Sequence, residues 1–247
     1  MSRTPETART PKLVILKTGS TYPSLKAQFG DFDRWFMRGL GGGLDITVVN
    51  VAAGESPGHP EQWDGIVVTG SPAMVTEQAP WSELTGTWLA QAVDQRVPLL
   101  GVCYGHQLLA HALGGEVGYH PRGRESGTYQ VERLEAAETD PLFRHLPERF
   151  NAQLTHRQSV LTLPETAVLL ARNSFEPHQA FRVGPCAWGV QFHPEFTDEV
   201  MAAYLDVQAP DLEKEQLDPR ALRAAVAAAP EASSLLERFA ELVRQKQ

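Results

Sequence analysis

The sequence predicts an α/β fold, a doubly wound, mostly parallel sheet with helices on both faces and a C-terminal helical extension. Two patterns point there. Short runs that are apolar nearly throughout, such as LVIL, GIVV and PLLGV, alternate with stretches of helical length. A strand that is apolar on both sides has to be covered on both sides, and a parallel sheet flanked by helices does this with right-handed crossovers as the default. Length agrees, since 247 residues suffice for one substantial core and leave little for a second full domain.

In chain order, Lys12–Lys17 is strand-like, and a loop with Gly, Ser and Pro separates it from a helical stretch, Leu25–Leu40. The β-branched runs Asp45–Val51 and Gly65–Gly70 follow. Trp81–Gln95 is a helix that Pro80 starts, because proline's fixed φ and missing N–H do no harm in a first turn. Pro98–Cys103 is a fourth strand, and Tyr104–Leu113 is a helix closed by Gly114 and Gly115. Beyond it, TYQVERL, RFNAQLT, TAVLLARN, QAFRV and CAWGVQF are strand-like and separated mostly by short polar turns, which predicts an antiparallel addition or edge. From Thr197 the chain turns helical, and Asp218–Gln245 reads as two helices broken at Pro230. The expected organisation is a flexible arm over 1–11, a domain over 12–205 and a helical extension over 206–247.

Hydrophobic residues make up 42% and charged residues 21%, which suits a globular chain rather than a disordered one. The formal charge of -8 repels phosphate backbones and anionic headgroups, so neither nucleic acid nor membrane is an expected partner. MSRTPETARTPK lacks the apolar stretch of a signal peptide, and no run is long and apolar enough to span a bilayer; a cytoplasmic location is expected.

The strongest local signal is Gly101-Val102-Cys103-Tyr104-Gly105, a nucleophile type between a strand and a helix. The flanking glycines permit a tight turn, and a helix N-terminus favours thiolate over thiol. A second apolar strand ends in Phe192-His193-Pro194-Glu195, supplying a base and an acid that orients it. A third, Val68-Thr69-Gly70-Ser71-Pro72, offers a backbone donor at Ser71, because Pro72 has no N–H; Tyr104 at the helix start is its partner. Ligands of such sheets bind at the carboxyl ends of strands, where all three motifs fall.

PLLGVCYGHQLLAHALGG, VVTGSP and WGVQFHPEF together resemble the nucleophile, oxyanion and His-Glu motifs of class I glutamine amidotransferases, nearest the glutaminase domain of GMP synthase. The resemblance covers roughly 12–204. It implies a flavodoxin-like sheet, catalysis by Cys103, His193 and Glu195, an oxyanion hole at Ser71 and Tyr104, and a γ-glutamyl thioester without any cofactor. Gly70, Gln107 and His156 are implied to contact substrate. Leu154–Val160 resembles the family's Ser-His-x-Asp-x-Val loop, with Thr155 for Ser and Gln158 for Asp; Arg124-Glu125-Ser126-Gly127 stands where the family has a Glu-aromatic-Gly turn.

The substrate is then glutamine or another γ-glutamyl compound, and a synthetase subunit receiving the ammonia is a possible partner; oligomerisation is left open. The alternatives are a γ-glutamyl conjugate hydrolase and a non-catalytic regulatory or binding subunit. Cys186, in a Trp-containing strand, reads as core. The histidines show no zinc-type spacing, so no metal is expected, although His59, His120 and His156 remain pocket candidates. A phosphate-binding Gly-x-x-x-x-Gly-Lys-Ser/Thr loop is missing, which argues against nucleotide chemistry on this chain.

Overall fold

The computed structural model describes residues 9–246. Strand β1 (Lys12–Lys17) leads into two helices, α1 (Pro23–Phe29) and α2 (Phe32–Leu40), where the sequence predicts one over Leu25–Leu40. Gly30 at φ 86° leaves helical space, and the Asp31 carboxylate accepts from the Phe32 N–H to start the next helix. The α/β alternation continues through β2 (Asp45–Asn50), β3 (Gly65–Val68), α3 (Pro80–Asp94), β4 (Leu99–Val102) and α4 (Tyr104–Ala112). A β-rich section follows: β5 (Glu116–Tyr119), β6 (Glu125–Arg133), β7 (Arg149–His156), β8 (Gln158–Thr162), β9 (Val168–Arg172), β10 (Ala180–Val183) and β11 (Ala187–Val190). Three helices close the chain, α5 (Asp198–Lys214), α6 (Pro219–Ala224) and α7 (Pro230–Gln245).

Nine strands form one sheet in the order β2-β1-β3-β4-β11-β10-β9-β6-β7. From β2 to β11 neighbours run parallel, and from β11 to β7 they run antiparallel, so the expected antiparallel addition is an extension of the same sheet. The parallel part has the strand order of flavodoxin-like sheets, whose ligand crevice opens at the carboxyl ends. Side chains alternate as a pleated strand requires. Leu13 and Ile15 point to one face with Phe36, Trp188 and Phe239, while Val14 and Leu16 point to the other with Ile66, Leu99 and Leu108. A separate antiparallel pair, β5 with β8, stands outside the sequence reading.

Helix α7 is part of the core. Its buried Leu235, Leu236, Phe239, Ala240 and Val243 form a helical stripe on the sheet, and Phe239 meets Trp188 edge to face at 6.2 Å. Gly65 allows that approach, since a Cβ there would lie 2.6 Å from Val243 Cγ2. Of the arm expected over 1–11, residues 1–8 lie outside the described residues. Arg9 is held by two 2.7 Å hydrogen bonds to the Asp64 carboxylate, and the Pro11 carbonyl accepts from the Asp45 N–H. No helix among the described residues is long and apolar enough to cross a membrane.

Candidate active site

Fully buried β4 ends at Val102, and Cys103 takes φ 51° and ψ -101° between it and α4. A non-glycine residue there is strained, and strain of this kind is retained where the surroundings over-determine it. The surroundings are close packed. A Cβ on Gly101 would lie 2.5 Å from the Gly105 carbonyl oxygen, and one on Gly105 would lie 2.6 Å from that of Val68. Only glycine at both positions lets α4 start this close to β3 and β4. The Cys103 N–H donates to Val190 O at 2.9 Å, tying the elbow to the end of β11, the strand that leads to His193.

Beyond β11 the chain is anchored at Gln191, whose N–H donates to Gln179 O, and at His193, whose N–H donates to Gln153 O, each at 2.8 Å. His193 Nδ1 faces Glu195 Oε1 at 2.5 Å, and the ring stacks on Phe196 with centroids 4.2 Å apart. A carboxylate accepts, so Nδ1 carries the proton. Nε2 is buried and has no hydrogen-bond partner among the described residues. Burial pulls the imidazole down, but the Glu195 carboxylate and the Cys103 sulfur push it up to about 10. Gly70 brings the two strand ends together: a Cβ there would lie 3.2 Å from His193 Cε1 and 3.8 Å from Cys103 Cβ. The thiol itself points to the Thr155 carbonyl at 3.8 Å.

The TGSP turn is fixed by Ser71 Oγ, which donates to Thr18 O at 2.7 Å and accepts from the Ala73 N–H at 3.1 Å. The backbone N–H groups of Ser71 and Tyr104 make no hydrogen bond among the described residues, as expected for a first helical residue in the case of Tyr104. Thiol, imidazole, Ser71 and Tyr104 line one cavity of about 410 Å³.

Gln107 and His156 line it too, with their polar atoms differently committed than the sequence suggests. Gln107 Nε2 donates to Gln158 O at 2.7 Å and to Gln191 Oε1 at 3.1 Å, which leaves its amide oxygen for a ligand. His156 offers no nitrogen to substrate. Its Nδ1 is 2.9 Å from Gln158 O and its Nε2 is 2.7 Å from Glu125 Oε2, both partners being buried. The carbonyl requires a donor at Nδ1, and burial's downward pull on this imidazole is outweighed by Glu125. Glu125 also accepts from Asn173 Nδ2 at 2.5 Å and Gln179 Nε2 at 3.2 Å. Gln158, where the family pattern has Asp, donates to Thr76 Oγ1 at 2.6 Å.

The other candidates fall elsewhere. Cys186 sits at the amino end of β11, away from the strand ends that carry the site, with its thiol 3.2 Å from Arg96 O. His59 is exposed, and His120 bonds Phe175 O at 2.8 Å in an adjoining cavity. Among the described residues no group of three or more His, Cys, Asp or Glu is arranged to hold a metal ion. Two arginines line the pocket as well, Arg124 and Arg157; they stand in the sequence only as members of a turn and a loop, and nothing but their charge marks them there.

A parallel sheet of this order with a cysteine elbow on one strand end and a His-Pro-Glu turn on the next defines the amidotransferase class of α/β enzymes. Residues 36–207 match the family described as glutamine amidotransferase class-I, and the chain belongs to it. The GMP synthase of Aeropyrum pernix is 39% identical over 131 residues, 53% of this chain but 24% of that one, so the chain spans about a quarter of that relative's length. Gamma-glutamyl peptidase 5 of Arabidopsis thaliana is 27% identical over 199 residues, 78% of each chain. A glutamine amidotransferase structure from Thermotoga maritima superimposes with a TM-score of 0.71 over 96% of this chain and 98% of that one, at 22% identity, and shares the fold.

Proposed function

We propose that this protein hydrolyses γ-glutamyl amides, with glutamine as the parent substrate, through a thioester on Cys103. The carrying observation is the convergence of Cys103 and His193 on Gly70, with Glu195 holding Nδ1 and Nε2 left free. The thiolate attacks the amide carbon, and the oxyanion takes the N–H groups of Ser71 and Tyr104. Nε2 gives its proton to the nitrogen as the C–N bond breaks, and ammonia or an amine leaves. Water then gives a proton back to the imidazole, adds to the acyl carbon and releases glutamate as the C–S bond breaks. Gln107 Oε1 accepts from the substrate's α-ammonium group. His156 acts from beneath the pocket as a buried positive charge paired with Glu125.

Two fates of the amide nitrogen follow. In one, a synthetase partner receives ammonia, a reading supported by the GMP synthase relatives. In the other, hydrolysis of a larger γ-glutamyl conjugate is itself the purpose, supported by the peptidase relative that spans most of both chains and by a cavity roomier than glutamine needs. Steady-state release of glutamate from glutamine and from γ-glutamylglycine tests the proposal. Wild type should release it from at least one and Cys103→Ala from neither; undiminished release by Cys103→Ala would overturn the thioester, and release from neither substrate by wild type would leave the non-catalytic reading.

A further inference from the structure

The catalytic cavity does not end at its own walls. Arg124 and Arg157 line it and also line a second cavity of about 430 Å³, so the two share a boundary made of guanidinium groups. Three arginines and one carboxylate, Glu215, line the second cavity, in a chain whose formal charge is -8. Arg122 is fixed there, donating to Ser174 O at 2.6 Å with its guanidinium 4.8 Å from the Phe175 ring centroid.

Arg124 and Arg157 converge on one acceptor. Their Nη2 atoms donate to the same oxygen, Glu215 Oε1, at 3.0 and 2.6 Å. Arg124 is nine-tenths buried, and its Nε has no hydrogen-bond partner among the described residues. A buried guanidinium with an unused donor is costly unless an acceptor arrives. Two cations around one carboxylate oxygen leave a surplus positive charge at the boundary between the cavities. Glu215 lies at the C-terminal end of α5, past the 36–207 segment shared with the family, as does Gln208 in the catalytic cavity wall. The boundary is thus built in part by residues outside that matched segment.

We infer that Arg124 and Arg157 form a subsite for a carboxylate on the leaving group of a γ-glutamyl conjugate, with Glu215 occupying part of it until substrate arrives. The inference rests on the proposed γ-glutamyl chemistry and narrows its substrate to conjugates of anionic amines. Guanidinium forks match carboxylates in geometry and charge, whereas a neutral amine would leave the surplus charge unanswered.

The test is calorimetric binding of γ-glutamylglycine and γ-glutamylethylamide to the Cys103→Ala protein, with hydrolysis by the unmutated protein measured alongside. The glycine conjugate should bind tighter by about tenfold, the size of a charge-assisted hydrogen bond. Arg157→Gln, at a half-exposed side chain, should shrink that ratio towards one, and Glu215→Gln should enlarge it. Equal binding of the two ligands overturns the subsite. So does an equal loss of both in Arg157→Gln, which would mean that the arginines read the α-carboxylate common to both. Arg157-dependent binding without hydrolysis would sink the catalytic proposal and leave the subsite standing; hydrolysis indifferent to the leaving group's charge would do the reverse.

Discussion

Nδ1 of His193 lies 2.5 Å from Oε1 of Glu195, two residues along the same turn, and this contact sets the tautomer that leaves Nε2 free. Replacing Glu195 by Gln keeps the shape but lets the amide donate to Nδ1, which would move the proton to Nε2. We predict a fall in kcat on the order of 10³-fold with KM changed far less, since the loss is confined to proton transfer. Steady-state kinetics on the preferred γ-glutamyl substrate would show it; a loss in KM alone would assign Glu195 to binding.

The charge state of His193 has a consequence for stability. An imidazole that titrates near 6.5 when free and is pushed up to about 10 in the fold favours the folded state while protonated. A raised value stabilises fully below the free value and loses that contribution as pH rises through the folded one. The stability difference between wild type and His193→Gln should therefore be steady below about pH 6.5 and shrink from there to about pH 10. Denaturant unfolding at several pH values measures it, and a difference that grows with pH would contradict the assignment.

Gly105→Ala places a methyl group 2.6 Å from the Val68 carbonyl oxygen and 2.8 Å from Val68 Cβ, both held in fully buried β3. The expected loss is about 3 kcal/mol, at the upper end for overpacking, accompanied by displacement of the Cys103 elbow. Chemical denaturation and activity should fall together. A variant of normal stability would mean that the elbow is looser than its geometry indicates.

Glu125 holds three donors under the pocket. Glu125→Gln removes the charge facing buried His156 and should destabilise the protein by roughly 3 kcal/mol, the size expected for an unpaired buried charge. A thermal melt within a degree or two of wild type would show that His156 is neutral in the fold.

Phe239→Ala, in the last helix, should lower stability by about 3 to 4 kcal/mol, because the side chain is fully buried against Trp188. A negligible effect on unfolding would place α7 outside the core, as an extension to the domain expected over 12–205.

That last contrast shows what was legible. Uniformly apolar strands such as β3 and β4 announce a covered parallel sheet, and the motifs ending at Ser71, Cys103 and Glu195 could be placed because each follows such a strand. Docking of α7 was hidden: its apolar stripe is visible in the sequence, but its receiving surface is assembled from α2, β3, β7 and β11, distant in the chain. The split at Gly30 and Asp31 was readable in principle, since a glycine followed by a capping acid ends one helix and begins another. The strands β5 and β8 escaped because Gly118 and the polar start of β8 break their apolar pattern. Which atoms of Gln107 and His156 remain free is a matter of tertiary hydrogen bonding, set by Gln158, Gln191 and Glu125, and no local pattern carries it.

The claim that Cys103 is the nucleophile is tested most directly by intact-protein and peptide mass spectrometry after incubation with a glutamine-like diazo-ketone. The account predicts a single covalent adduct on Cys103, with inactivation in proportion to labelling and no adduct in Cys103→Ala. No adduct on Cys103, together with γ-glutamyl hydrolysis that survives in Cys103→Ala, would contradict it.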